Sequence, residues 1–191
     1  MKFTPLPLSG AYLIELEPHK DERGYFARTF CAKEFKKHGL VTDFIQTSTS
    51  FNKKRGQIRG MHYQAVPYEE TKIVRCTKGS MFDVILDLRK GSPTYKQWYG
   101  DVLSQKNGKA FYIPKGFAHG YKTLESNTEL FYMMDQIYIS SAAREIEFKK
   151  EFFSMTLPLN ENPDYPGNVL KPQNSQKQDE DIIPEYIDKD Y

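Results

Sequence analysis

From Gly56 onward the chain is cut into short strand-like runs by glycine turns, and this punctuation restricts the possible fold more than any other feature. Met81 to Leu88 alternates with a period of two. Phe82, Val84, Leu86 and Leu88 fall on one face, and Asp83 and Asp87 on the other. The Lys78-Gly79 pair is expected to turn the strand Lys72–Thr77 back onto this run. Further strands are expected at Lys109–Ile113, stopped by Pro114, and at Glu129–Ile139. The one convincing helix spans Cys31 to His38, with Lys36, Lys37 and His38 in its last turn and Gly39 placed to close it. Short strands, tight turns and little helix predict an all-β sandwich or jelly roll. The 13 Phe and 13 Tyr agree, because aromatic side chains suit strands.

At 191 residues the chain is long enough for one domain with a sizeable core. We expect a body over residues 1–160 and a polar tail over 161–191. From Lys171 onward six acids face three lysines, with no apolar pattern beyond Ile182-Ile183. A net charge of +2, with both signs interspersed, argues against a nucleic-acid partner. The apolar run Leu130 to Met134 is too short to span a bilayer, and Met1 to Gly10 has no signal-peptide core. Cys31 and Cys76 give no disulfide framework, so the expectation is a cytoplasmic protein with reduced thiols, off the membrane.

Within a strand over Glu129–Ile139, Tyr132 and Tyr138 would share the face that holds Met134 and Gln136. Two phenols on one face can line a pocket or simply sit at the surface. His62, in Arg59-Gly60-Met61-His62-Tyr63-Gln64, and His119, in Gly116-Phe117-Ala118-His119-Gly120, are each flanked by glycine and apolar residues. Both are expected to be semi-buried, as structural groups or as bases. A jelly-roll metal site would want a second histidine two residues away, and positions 60 and 64 hold Gly and Gln, so no metal is expected. Arg23, in a turn over Asp21–Gly24, Arg59 and Lys72 are cations able to clamp a diphosphate or to stand solvated.

Taken in order, these segments resemble the dTDP-4-dehydrorhamnose 3,5-epimerase family, the cupin-like epimerases of deoxysugar synthesis. The matching pieces are Asp21 to Phe26, Ile58 to Gln64, Lys72 to Arg75, Phe82 to Arg89, Ser92 to Thr94, Ile113 to Gly120, and Tyr132 with Tyr138. The resemblance implies a cupin-like β jelly roll with a short helix, a homodimer, and no metal or redox cofactor. It implies that His62 removes a proton beside the C4 ketone of a nucleotide-linked 4-keto-6-deoxy sugar. Tyr132 would be the acid on the opposite face, and Lys72 would hold the enolate oxygen. His119, Arg59 and Gln46 would contact the sugar and phosphates, and Tyr138 would stack on the base. Arg23, Phe26 and Arg28 would reach the nucleotide, the first two from the partner subunit. Such chemistry is coherent, since inversion needs a base and an acid on opposite faces and a stabilised oxyanion between them.

The chain departs from the family pattern in places. Arg28 and Ser48 stand where the family commonly has glutamate and asparagine, which leaves the nucleotide open. A family glutamate falls at Ala143. The aspartate that orients the catalytic histidine has only Asp179 as an echo, one residue out of step in Ser175 to Asp179. A sugar-nucleotide 3,4-ketoisomerase and a non-catalytic carbohydrate-binding jelly roll are the competing readings. Arg59 and His62, three apart, would point to opposite faces of a regular strand, so a bulge or separate pocket walls must reconcile them.

Overall fold

The structure, a computed structural model, describes residues 1–146; the expected tail, its boundary at 160 and Asp179 lie outside the described residues. The chain runs through β1 (Lys2–Pro5), β2 (Tyr12–Glu15), a small hairpin of β3 (His19–Asp21) and β4 (Gly24–Phe26), and helix α1 (Ala32–Lys37). There follow β5 (Gln46–Asn52), β6 (Ile58–Gln64), β7 (Lys72–Lys78), β8 (Ser80–Asp87) and β9 (Trp98–Ser104). Last come β10 (Lys109–Ile113), β11 (Phe117–Thr123), β12 (Thr128–Met134), a 3-10 turn (Ser140–Ala142) and β13 (Ala143–Glu145).

Two sheets face each other. One has the order β1-β2-β10-β7-β12-β5 and the other β13-β6-β11-β8-β9. Every strand pair is antiparallel, the layering expected of a jelly roll. The core between the sheets joins Val74, Phe111 and Leu130 of the first sheet to Ile85, Leu103 and Phe117 of the second. Helix α1 covers the outer face of the six-stranded sheet, where Phe35 is fully buried beside Ile14, Ile73 and Tyr112. Its N-cap is Cys31 and its C-cap His38, and Gly39 takes φ +70°, the left-handed conformation that closes a helix. No helix among the described residues is long and apolar enough to cross a membrane.

Two expectations fail for one reason: a sandwich has two layers. β7 and β8 do not form a hairpin, because β7 pairs with β10 and β12, and β8 with β11 and β9. Gly79, at φ +73°, carries the chain from one sheet to the other. A Cβ there would lie 2.7 Å from Thr128 Oγ1, so the crossing is tight. The alternation of β8 is real, yet both faces are buried. Phe82, Val84 and Leu86 pack outward against Met61 and Ala118, whereas Asp83 and Asp87 share the other, equally buried face with Met81 and Ile85.

Candidate active site

A cleft of about 730 Å³ opens between the sheets, a size suited to a small-molecule ligand. One wall is β6 and β11. His119 pairs with His62 and Tyr121 with Arg59, so two residues of β6, Gly60 and Met61, oppose the single Gly120. This is a β-bulge, and it shifts the side-chain alternation by one. Arg59 and His62 therefore both line the cleft, despite their odd spacing. Gly60 takes φ +89°, and a Cβ on it would stand 2.5 Å from the carbonyl oxygen of His119. Only glycine fits.

The facing wall comes from the other sheet. Lys72 of β7, Tyr132 of β12, and Gln46, Ser48 and Ser50 of β5 look into the same space. Lys72 Nζ is 2.7 Å from Glu70 Oε1, and both side chains are largely buried. Tyr138 reaches the cleft by a route the sequence did not indicate. β12 ends at Met134, so Tyr138 is not on its face but on the loop 135–139. Its backbone N–H donates to Gln46 Oε1 at 3.0 Å. Gln64 pins the same loop, accepting from the N–H of Ile139 at 2.6 Å and donating to the carbonyls of Ile137 and Tyr68 at 3.2 and 3.0 Å. Gln64 thus serves the loop. Among the described residues no cluster of three His, Cys, Asp or Glu side chains forms a metal-binding group.

The two histidines, expected alike, differ. His119 is buried, and its Nε2 lies 2.9 Å from each oxygen of Asp83, itself fully buried. Burial raises the Asp83 carboxyl above the usual range, opposed by His119. With Nε2 donating to Asp83, Nδ1 is the nitrogen left for a ligand. His62 is half-exposed, at 55% of its side chain, with Glu145 Oε1 3.7 Å from its Nε2. Partial burial lowers its pKa, Glu145 pulls it up, and Lys72, His119 and Arg59 push it down. Burial drives the Tyr132 phenol far above its ordinary value, reinforced by the Tyr121 phenol and opposed by a hydrogen bond with Ser50.

Arg23, Phe26 and Arg28 lie outside the cleft. Arg23 Nη2 binds Asp21 at 2.6 Å, and Asp21 also accepts the backbone N–H of Arg23 at 2.9 Å, which makes the expected turn. Phe26 is 71% exposed. Arg28 pairs with Glu34 at 3.1 Å in a smaller hollow beside Met1 and His19. Several cleft residues were not anticipated: Glu70, Glu145 and Tyr121, whose hydroxyl binds Ser50 and Asn52 at 3.1 Å each; nor was Asp83, buried behind His119. Asn52 in turn accepts from Arg59 Nε at 2.8 Å. Tyr121 had a legible signal, since it follows His119 by two on one strand. Asp83 and Glu145 had none, because their placement depends on cross-strand register.

A family model described as dTDP-4-dehydrorhamnose 3,5-epimerase matches residues 5–180. The protein of that name from Sinorhizobium fredii is 36% identical over 158 residues, 83% of this chain and 81% of the relative. The crystal structure of the Bacillus anthracis dTDP-4-dehydrorhamnose 3,5-epimerase, with TDP and PPi bound, aligns with a TM-score of 0.78 at 34% identity. It covers 83% of this chain and 91% of that one. A Legionella pneumophila dTDP-6-deoxy-D-glucose-3,5-epimerase in complex with dTDP-4-keto-L-rhamnose aligns with a TM-score of 0.75 at 34% identity, over 84% and 85% of the two chains. These likenesses and the cleft define the class: a cupin-like jelly-roll isomerase. Within that class, the chain belongs to the dTDP-4-dehydrorhamnose 3,5-epimerase family.

Proposed function

We propose that this protein inverts C3, C5 or both in a dTDP-linked 4-keto-6-deoxy sugar, with His62 as the base, Tyr132 as the opposing acid and Lys72 at the ketone oxygen. One observation carries the assignment: His62 projects from one sheet, and Tyr132 and Lys72 from the other, into a single cleft. A sugar ring between the two walls has a proton acceptor on one face and a proton donor on the other.

His62 takes the proton from the carbon beside the ketone. The C–H electron pair moves into the ring as the enolate, whose charge collects on the oxygen that Lys72 faces. Tyr132 gives its phenolic proton to the opposite face of the same carbon, the carbonyl reforms, and the centre is inverted. Solvent reprotonates the phenolate and takes the proton from His62, so no electrons enter or leave. The raised Tyr132 pKa suits a group that must stay protonated until that step. Arg59, tethered through Asn52, supplies donors for the pyrophosphate, and His119, whose Nε2 is held by Asp83, leaves Nδ1 for the sugar hydroxyls. The thymidine assignment rests on the TDP and dTDP-sugar bound in the Bacillus and Legionella proteins.

The working unit we infer is a cytoplasmic homodimer. The β3–β4 hairpin presents Tyr25 and Phe26, 61% and 71% exposed, and Arg23, away from its own cleft. A second copy would give these residues a nucleotide to contact. Incubation with dTDP-4-keto-6-deoxyglucose in D2O, followed by NMR, tests the reading. Deuterium at C3 or C5 with inversion supports it. A 3-keto product would make the protein a ketoisomerase, and no exchange would leave a binding module.

A further inference from the structure

We infer that a one-way chain of hydrogen bonds runs from Arg59 through Asn52, Tyr121 and Ser50 to Tyr132, and that it aims the Ser50 hydroxyl proton at the oxygen of the acid. The inference rests on the reading of Tyr132 as the proton donor. It makes Asn52, Tyr121 and Ser50 positioning residues for the second half of the inversion. Ser48, Ser50 and Asn52 share one face of β5, with Ser48 directly opposite Tyr132 on β12. Arg59 Nε donates to Asn52 Oδ1 at 2.8 Å. Asn52 Nδ2 stands 3.1 Å from the Tyr121 hydroxyl and 3.4 Å from the carbonyl oxygen of Thr128. The Tyr121 hydroxyl lies 3.1 Å from Ser50 Oγ, and Ser50 in turn hydrogen-bonds the Tyr132 phenol.

The direction follows from what each end can do. A guanidinium only donates and a carbonyl oxygen only accepts, so Arg59 holds Oδ1 of Asn52 and the Thr128 carbonyl holds Nδ2. The amide is fixed from both ends, and Nδ2 donates to the Tyr121 oxygen. The Tyr121 proton then has two acceptors, Ser50 Oγ at 3.1 Å and Asn52 Oδ1 at 3.4 Å. Oδ1 already accepts the shorter bond from Arg59, so Tyr121 donates to Ser50 and the Ser50 proton is left for Tyr132. Asn52 and Tyr121 are 1% and 2% exposed, so water does not compete for these bonds, and each polarises the next. Burial alone would hold the Tyr132 proton too firmly to release. The Ser50 hydroxyl works against burial, and it steadies the phenolate as the proton passes to carbon.

The test uses the full chain with dTDP-4-keto-6-deoxyglucose in D2O and follows two rates in one sample. Deuterium entry beside the ketone needs the base, whereas inversion also needs the acid. Thermal melts check that each variant is folded. Ser50→Ala and Tyr121→Phe should each slow inversion roughly three- to tenfold, the effect of one lost hydrogen bond, while deuterium entry stays near wild type. Ser50→Thr keeps the hydroxyl and should invert near the wild-type rate. The double variant Ser50→Ala with Tyr121→Phe should be no slower than Ser50→Ala, because Tyr121 acts through Ser50. Wild-type inversion in Ser50→Ala, effects that multiply in the double variant, or both rates falling together would each overturn the inference. Tyr132→Phe judges the acid itself. Normal inversion there overturns that reading and the inference with it, whereas lost inversion there beside wild-type inversion in Ser50→Ala overturns the inference alone. Carbon-13 NMR of tyrosine labelled at Cζ, with Tyr132 assigned by its loss in Tyr132→Phe, decides the chain without activity. The Tyr132 resonance should move in both Ser50→Ala and Tyr121→Phe, and a resonance unmoved in both shows that the chain does not reach the phenol.

Discussion

Replacing Gly60 by alanine should cost the protein both stability and activity, because one methyl group would undo the bulge that aims two cleft residues. Gly60 sits at φ +89°, where an L side chain costs about 1–2 kcal/mol. The new Cβ would stand 2.5 Å from the His119 carbonyl oxygen and 2.8 Å from Gly120 Cα. Both contacts are backbone, so no rotamer can relieve them, and overpacking of this kind adds about 1–3 kcal/mol. The sum is about 2–5 kcal/mol, or a drop in Tm of roughly 4–20 °C for a chain of this size. Urea unfolding and thermal melts read the stability, and deuterium exchange into the sugar reads the site. Relief by separating β6 from β11 would displace Arg59 and His62 together, so exchange should fall by at least tenfold, as small misplacements of reacting groups do. A Gly60→Ala protein within about 0.5 kcal/mol of wild type, with full exchange, would refute the role given to the bulge.

Three further outcomes are expected. Tyr132→Phe should still let deuterium enter the sugar but return it with the original configuration, since in the proposed mechanism deprotonation needs His62 and Lys72 alone; inversion at the wild-type rate would show another acid. Asp87 should contribute acid-sensitive stability. Burial alone would raise its pKa, but hydrogen bonds from Arg89, Ser92 and Thr94 bring it from the ordinary 3.8 down to about 2. A depressed carboxylate stabilises above its unfolded pKa and loses that contribution as pH falls toward the folded value, here between about 4 and 2 and worth roughly 2 kcal/mol. Asp87→Asn should flatten that part of the stability curve, and an equally steep curve would reject the assignment. Exhaustive EDTA treatment should leave activity intact, and loss restored by added metal would contradict the metal-free mechanism.

How far the sequence reached depends on the range of the interactions involved. Helix α1, with its Gly39 stop, and the strand ending before Pro114 were legible, because caps, prolines and local periodicity set them over a few residues. The segment Arg59 to Gln64 and Lys72 stood out by residue type and local flanks, but the roles given to His62 and Lys72 came from the family resemblance and not from those residues alone. Layering was not. A glycine turn after Lys78 signals a reversal, but whether the next strand pairs sideways or crosses to the facing sheet is decided by burial on both sides of β8. The common orientation of Arg59 and His62 needed the bulge, which exists only as a register between β6 and β11. Tyr138 reaches the cleft because Gln46 and Gln64 hold its loop, from positions 92 and 73 to 75 residues away. The carboxylates behind the site, Asp83 under His119 and Glu145 opposite His62, carry no local mark. A charge gains its meaning from the group it faces, and which strand faces which is settled by tertiary packing alone.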